Sequence, residues 1–125
     1  MDQARVTRRG AARWRRGHPW IYRSDVLEPP RGGPGAVRVV DEAGALLGVA
    51  LWSPRSTISL RMLTPGDRAP GPDFWAERLD AALAWRVGLG LLAEPGGPQP
   101  PTACRLVHGE ADGLPSLVVD RYGDV

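Results

Sequence analysis

The sequence predicts a mainly β chain with some α structure. A small barrel-like β module is expected over residues 1–66, then a helix and the first strands of an incomplete α/β unit over 67–125. Three observations carry this. Short apolar runs at residues 37–39, 46–52 and 58–62 follow one another at strand spacing, with turn residues between them. Thirteen prolines and 16 glycines in 125 residues favour many short elements over a few long helices. Only residues 73–87 have the length and composition of a longer helix.

Gln3 to Arg8 reads as an opening strand, with Val6 its one strongly apolar residue and Gly10 breaking the pattern. Ala11 to Arg16 are good helix formers, enough for one or two turns ended by Gly17. Pro19 holds His18 extended, and Trp20-Ile21-Tyr22 then reads as a short strand or edge segment. Pro29 to Gly35 is a loop. Val37 and Val39 share one face of the next strand, with Arg38 on the other. Asp41-Glu42-Ala43-Gly44 fits a turn, opened by aspartate and closed by glycine. Leu46 to Trp52 is almost wholly apolar, so that strand is expected to be covered on both faces. Ile58, Leu60 and Met62 alternate with Ser59 and Arg61, which predicts a half-exposed strand.

Thr64 to Pro72 is a Pro/Gly linker, and Asp73 is the expected N-cap of a helix running to about Val87. Trp75, Leu79, Ala82 and Leu83 form its apolar stripe, flanked by Phe74, Trp85 and Leu89. Glu77, Asp80 and Ala84 form the solvent face. An arc this wide predicts contact with two neighbours, with Arg78 and Arg86 laying their stems along it and keeping their heads in water. After the loop from Glu94 to Pro101, Cys104–Val107 and Leu117–Asp120 read as strands joined through Gly109–Pro115. Arg121 to Asp124 is the next turn, with a further strand expected at Val125. The second unit therefore reads as cut short, because a helix and two strands make a poor core alone.

The net charge of +2 is unevenly spread. Residues 1–31 hold eight arginines against Asp2, Asp25 and Glu28, whereas the remainder holds eight arginines against eleven acids. Arg5, Arg8, Arg9, Arg13, Arg15 and Arg16 all fall in the first sixteen residues, interleaved with Trp14 and followed by His18 and Trp20. Guanidinium groups grip phosphates bidentately and aromatic plates stack on bases, so this segment points to nucleic acid. It expects Arg8, Arg13, Arg15, Arg16, His18 and Trp20 at the interface, with Arg13 and Arg16 on one side of a helical turn. Arg55 and Ser56, in the Ser53-Pro54-Arg55-Ser56 turn, are expected to add phosphate contacts. The competing readings are a solvated face with Trp14 and Trp20 in the core, ordinary turn residues at 53–56, and an acidic protein partner. The complete absence of lysine also fits GC-rich coding. Basicity does not choose between DNA and RNA.

The single cysteine excludes an internal disulfide and a multi-cysteine zinc site. Cys104 reads as a small core residue, with no sign of a base or helix N-terminus to activate it. Glu110 and Asp112 read as turn formers, and with His108 nearby they still fall short of a metal-ligand set, so no metal is expected. Gly32-Gly33-Pro34-Gly35 lacks the spacing and following helix of a nucleotide-binding loop. No apolar run reaches a membrane span, and the N-terminus lacks a secretory core, so no membrane partner and a cytoplasmic location are expected.

Several segments together resemble the class I S-adenosylmethionine-dependent ribosomal RNA methyltransferases that begin with a PUA domain and methylate cytosine C5 of large-subunit rRNA. They are Arg15-Arg16-Gly17-His18-Pro19-Trp20-Ile21-Tyr22, Leu47-Gly48 to Ser53, Ile58 to Leu63 and Ala81 to Arg86. The most specific are Arg105-Leu106-Val107-His108-Gly109-Glu110-Ala111-Asp112-Gly113-Leu114-Pro115 and Val119-Asp120-Arg121-Tyr122-Gly123-Asp124. The resemblance runs through nearly the whole chain. It implies a PUA pseudo-barrel at 1–66 that binds rRNA, and the opening of a central α/β domain at 67–125. The cofactor loop, the Asp-Pro-Pro-type motif and the catalytic cysteine would lie beyond residue 125, so no catalytic or S-adenosylmethionine-binding residue falls in this chain and it is expected to be inactive alone. Ser116 departs from the family, which has glycine after the Leu-Pro pair. A stand-alone PUA-type RNA-binding or ribosome-assembly module is the alternative, and a homodimer is left open.

Overall fold

The structure, a computed structural model, describes residues 1–125 and divides into two compact units, Met1–Pro70 and Gly71–Val125. In the first, the strands are β1 (Gln3–Val6), β2 (Trp20–Tyr22), β3 (Val26–Glu28), β4 (Gly35–Val40), β5 (Leu46–Trp52) and β6 (Ile58–Pro65), with helix α1 at Arg8–Arg15. They form one sheet in the order β2-β6-β5-β4-β1-β3. β1 runs parallel to β4 and every other pair is antiparallel. This is a mostly β, nearly closed barrel-like sheet with one helix packed on it.

The helix starts earlier than the sequence suggests. Thr7 is its N-cap, its Oγ1 accepting the Gly10 N–H at 3.1 Å, and the helix runs through Gly10 instead of breaking there. A Cβ on Gly10 would lie 3.1 Å from Asp25 Cβ, so the missing side chain lets the helix settle against that buried carboxylate. At the other end Gly17 takes φ +82°, with Gly17 N–H on Trp14 O and His18 N–H on Arg13 O, a Schellman closure. Trp14 is buried, and its indole N–H donates to Leu47 O at 2.9 Å. Ala4, Val6, Ala11, Ile21, Val37, Val39, Leu47, Ala50, Trp52 and Leu60 complete this core.

β5 is buried from Leu47 to Ala50, as an all-apolar strand should be. Gly48 sits at φ +156°, where a Cβ would run into Thr64 O and the Trp14 ring; only glycine lets helix and strand approach so closely. The Asp41–Gly44 turn forms, with Asp41 Oδ1 accepting Ala43 N–H and Ala45 N–H. Simple alternation fails in β6. Ser59 is fully buried with its hydroxyl on Ser56 O at 2.9 Å, Leu63 is buried, and Ile58 and Met62 are only half-buried. The β5–β6 register slips between Val49 and Ala50, which changes the face each β6 residue presents.

The second unit holds α2 (Pro72–Gly88) and the antiparallel pair β7 (Ala103–His108) and β8 (Val118–Tyr122), joined through a 3₁₀ turn at Gly109–Asp112. Gly71, not Asp73, is the N-cap; Pro72 fills the first helical position and Asp73 lies in the first turn, where its charge suits the helix dipole. Ala82, Val107 and Leu114 are the buried apolar centre, with Trp75, Leu106 and Val119 against it. Trp85 and Leu89 stay 64% and 56% exposed.

Three further expectations fail here. Leu79 and Leu83, expected in the packed apolar stripe of α2, are exposed. Cys104 is half-buried, not a core residue. Arg86 does not keep its head wet: the residue is 8% exposed and its guanidinium is engaged on every side. Nη1 and Nη2 reach Asp112 Oδ1 and Oδ2 at 2.5 and 2.8 Å, and Nε donates to Arg105 O at 3.0 Å. Asp112 Oδ2 also accepts His108 N–H at 2.6 Å. These contacts, the Arg86 hydrogen bonds foremost, hold the Asp112 carboxyl below its ordinary range, and Asp112 in turn raises the Arg86 pKa. Arg78 lays its guanidinium over the Phe74 ring, 5.0 Å from the centroid.

Candidate nucleic-acid interface

The basic face must come from the first unit, which carries twelve arginines against six carboxylates. Folding commits many of them. Asp25 is fully buried and gathers three donors: Thr7 Oγ1 at 2.9 Å, Arg9 Nε at 2.8 Å and Arg13 Nη1 at 3.3 Å. Arg9 and Arg13 are four apart, so they leave α1 on one side and share this acid. Arg15 leaves on another side and pairs with Asp41 at 2.5 Å. Arg5 pairs with Glu28 at 3.1 Å. The Arg15 contact, ahead of the backbone N–H bonds, lowers the Asp41 pKa.

The expected residues therefore separate into groups. Arg13 is half-buried between Asp25 and the Tyr22 ring, 5.4 Å from its centroid. Arg15 is exposed but paired with Asp41. Arg8 is exposed beside the Asp41–Ala43 turn, its backbone N–H on Glu42 and its guanidinium without a partner. Arg13 and Arg16 do not share one free face, because only Arg16 is exposed and unpaired.

Arg16 opens the turn into β2, and the chemistry concentrates there. His18 is exposed, its Nδ1 3.3 Å from Trp20 N, and its ring stands edge-on to Trp20 with centroids 6.0 Å apart. Trp20 is half-buried, so it is neither a core residue nor a free plate. Across the ladder it faces Arg61, whose guanidinium lies 5.7 Å from the Trp20 ring centroid. β2 is the edge strand of the sheet, so Arg16, His18, Trp20 and Arg61 lie along an open margin. Arg55 is exposed in the β5–β6 turn without a partner, and Ser56 offers its carbonyl to Arg23 Nη2 at 3.3 Å. Sequence reasoning missed Arg61 and Arg23. Arg61 did leave a signal, as a charge at a polar position of an otherwise apolar strand. Arg23 left none, since its role depends on the turn it reaches.

Elsewhere, Asp112 is taken up by Arg86, and no three His, Cys, Asp or Glu side chains converge as a metal-ligand set. No helix is long and apolar enough to cross a membrane.

A nearly closed six-stranded sheet with a helix on it and a basic, aromatic edge is the architecture of a PUA-like domain, and residues 4–65 match the family model of that description. The chain is 43% identical over 125 residues to the ribosomal RNA large subunit methyltransferase of Deinococcus radiodurans, covering 97% of the chain and 30% of that protein. It is 39% identical over 114 residues to ribosomal RNA large subunit methyltransferase I of Shewanella denitrificans, covering 88% and 27%. A putative SAM-dependent methyltransferase from Streptococcus mutans shares the fold at TM-score 0.81 and 18% identity, over 99% of this chain and 31% of that one. Residues 4–65 are thus similar to a PUA-like domain, and the chain as a whole is similar to a part of ribosomal RNA large subunit methyltransferases. It spans about 30% of the length of the curated relatives it matches.

Proposed function

We propose that this chain docks large-subunit ribosomal RNA for S-adenosylmethionine-dependent methylation, with cytosine C5 as the target atom, in the cytoplasm. The observation that carries the reading is the 43% identity to a ribosomal RNA large subunit methyltransferase across 97% of the chain, both units included. The β2 edge supports the docking role. Arg16 beside this edge and Arg55 in the β5–β6 turn offer unpaired guanidiniums to phosphates, and the exposed His18 ring beside the half-buried Trp20 adds an aromatic contact for bases. Residues 1–70 are the docking domain, and 71–125 open the domain that would join it to a catalytic lobe. A cofactor site does not fit the residues present, because no glycine-rich strand–turn–helix occurs in the sequence. In this reading the chain alone is expected to transfer no methyl group.

Binding to a large-subunit rRNA fragment should weaken steeply as salt rises, and Arg16→Gln with Arg55→Gln should lower the slope of log affinity against log salt by about 2. Calorimetry with S-adenosylmethionine should give no stoichiometric heat. RNA affinity indifferent to salt and to both substitutions would sink the docking role.

A further inference from the structure

A cleft of about 400 Å³ opens in the first unit between the Pro29–Gly35 loop and the turn joining β5 to β6. Trp52 and Val26 line it together with Pro29, Pro30 and Pro54. Trp52 is 7% exposed, so its position is fixed by the core beneath it. Arg23 completes the lining and is held in place by its own turn, Nη2 donating to Pro54 O at 2.8 Å and to Ser56 O at 3.3 Å. Its Nε and Nη1 make no bond. Arg55 follows Pro54 in the same turn, exposed and unpaired. The nearby carboxylates are committed: Asp2 to the N–H groups of Gly32 and Gln3, and Glu28 to Arg5.

A rigid concavity with an aromatic wall and spare guanidiniums beside it combines the two features that recognise a nucleotide. The apolar surface takes a base, and the arginines take the phosphates on either side. A paired base is stacked and cannot enter a cleft, whereas an unpaired one can be splayed into it. We propose that the Trp52 cleft is a second RNA subsite that takes one unpaired nucleobase, with Arg23 and Arg55 on its flanking phosphates. This inference rests on the RNA-docking reading and adds to it a preference for single-stranded RNA at the cleft that follows the C-terminal end of β2. Proline-lined surfaces also receive peptides, but the guanidiniums favour a phosphate-bearing occupant.

The test uses the whole chain and the indole N–H resonance of Trp52, assigned by its loss in Trp52→Phe. A single-stranded decanucleotide should shift that resonance, and a blunt duplex of the same composition should not. Arg55→Gln and Pro29→Asp, both at exposed positions, should each weaken single-strand binding by about tenfold, with the duplex affected less. Single-strand binding that leaves the Trp52 resonance still overturns the subsite and spares the docking role. No binding to either RNA overturns the docking reading on which the subsite stands. A shift with a proline-rich peptide but not with the decanucleotide assigns the cleft to peptide and overturns the proposal.

Discussion

The two units reach stability by different routes. The first buries eleven apolar residues in one cluster and carries a balance of +6 over Met1–Pro70. The second buries three and carries −4 over Gly71–Val125, with a nearly enclosed arginine–aspartate pair beside its small core. Where apolar burial is plentiful, one carboxylate, Asp25, is buried under partly exposed arginines, while Arg8, Arg16 and Arg55 are left unpaired at the surface and available to a ligand. Where it is scarce, a charged pair is drawn inside and becomes structural. Arg16 and Arg86 are the same residue type in these two roles.

The sharpest way to break that contrast is to unpair Arg86. Asp112→Asn leaves a buried guanidinium without its counter-charge, which costs about 3–5 kcal/mol. Hydrogen exchange should report the loss at Val107 and Ala82 and leave Val39 and Val49 unchanged. Replacing both partners by apolar residues of similar volume, Arg86→Met with Asp112→Leu, should recover most of it. Equal loss of protection in both units would show that the pair is not local to the second. Acid gives the same comparison without mutation. The Asp112 pKa is lowered in the folded state, so its contribution is complete above the unfolded carboxylate value of 3.8 and disappears as pH falls through the lower folded value. Protection of Val107 should fade in that acid range in the native chain, and Asp112→Asn should remove this part of the pH dependence.

In the first unit the counterpart is steric. Gly48→Ala puts a Cβ into Thr64 O and the Trp14 ring at a backbone angle that disfavours alanine, and should cost about 3 kcal/mol. Thermal unfolding followed at the buried Trp14 should drop accordingly. A neutral outcome would mean that α1 can lift from β5, and that the first unit is less tightly packed than its buried core implies.

These tests also mark what the sequence made legible. Glycines, prolines and alternation located β4, β5, β6 and the α2 segment, because their causes are local. β3 was missed, since Val26-Leu27-Glu28 is a strand through pairing with Arg5 and Val6 rather than through any pattern of its own. Gly10 looked like a breaker because its reason, the approach of Asp25, is 15 residues away in sequence. The arginine cluster was readable as a charge but not as a set of free donors. The acids that hold Arg9, Arg13 and Arg15 come from other elements, and composition carries no trace of which guanidiniums remain free.

The smallest expected effect tests the finest point the sequence raised. Ser116, standing where the family resemblance expects glycine, has φ +68° and is the only non-glycine residue in the left-handed region. It precedes Leu117, whose carbonyl accepts Gly109 N–H at 2.8 Å to close the turn. Left-handed backbone costs a non-glycine residue about 1–2 kcal/mol, while glycine gives back about 0.5–1 kcal/mol by loosening the unfolded chain. Ser116→Gly should therefore stabilise the second unit by at most about 1 kcal/mol, read as slower exchange at Val107. Ser116→Ala keeps the strain and should give no gain. A gain from alanine equal to that from glycine would mean that the serine hydroxyl, not the backbone angle, is what the turn disfavours.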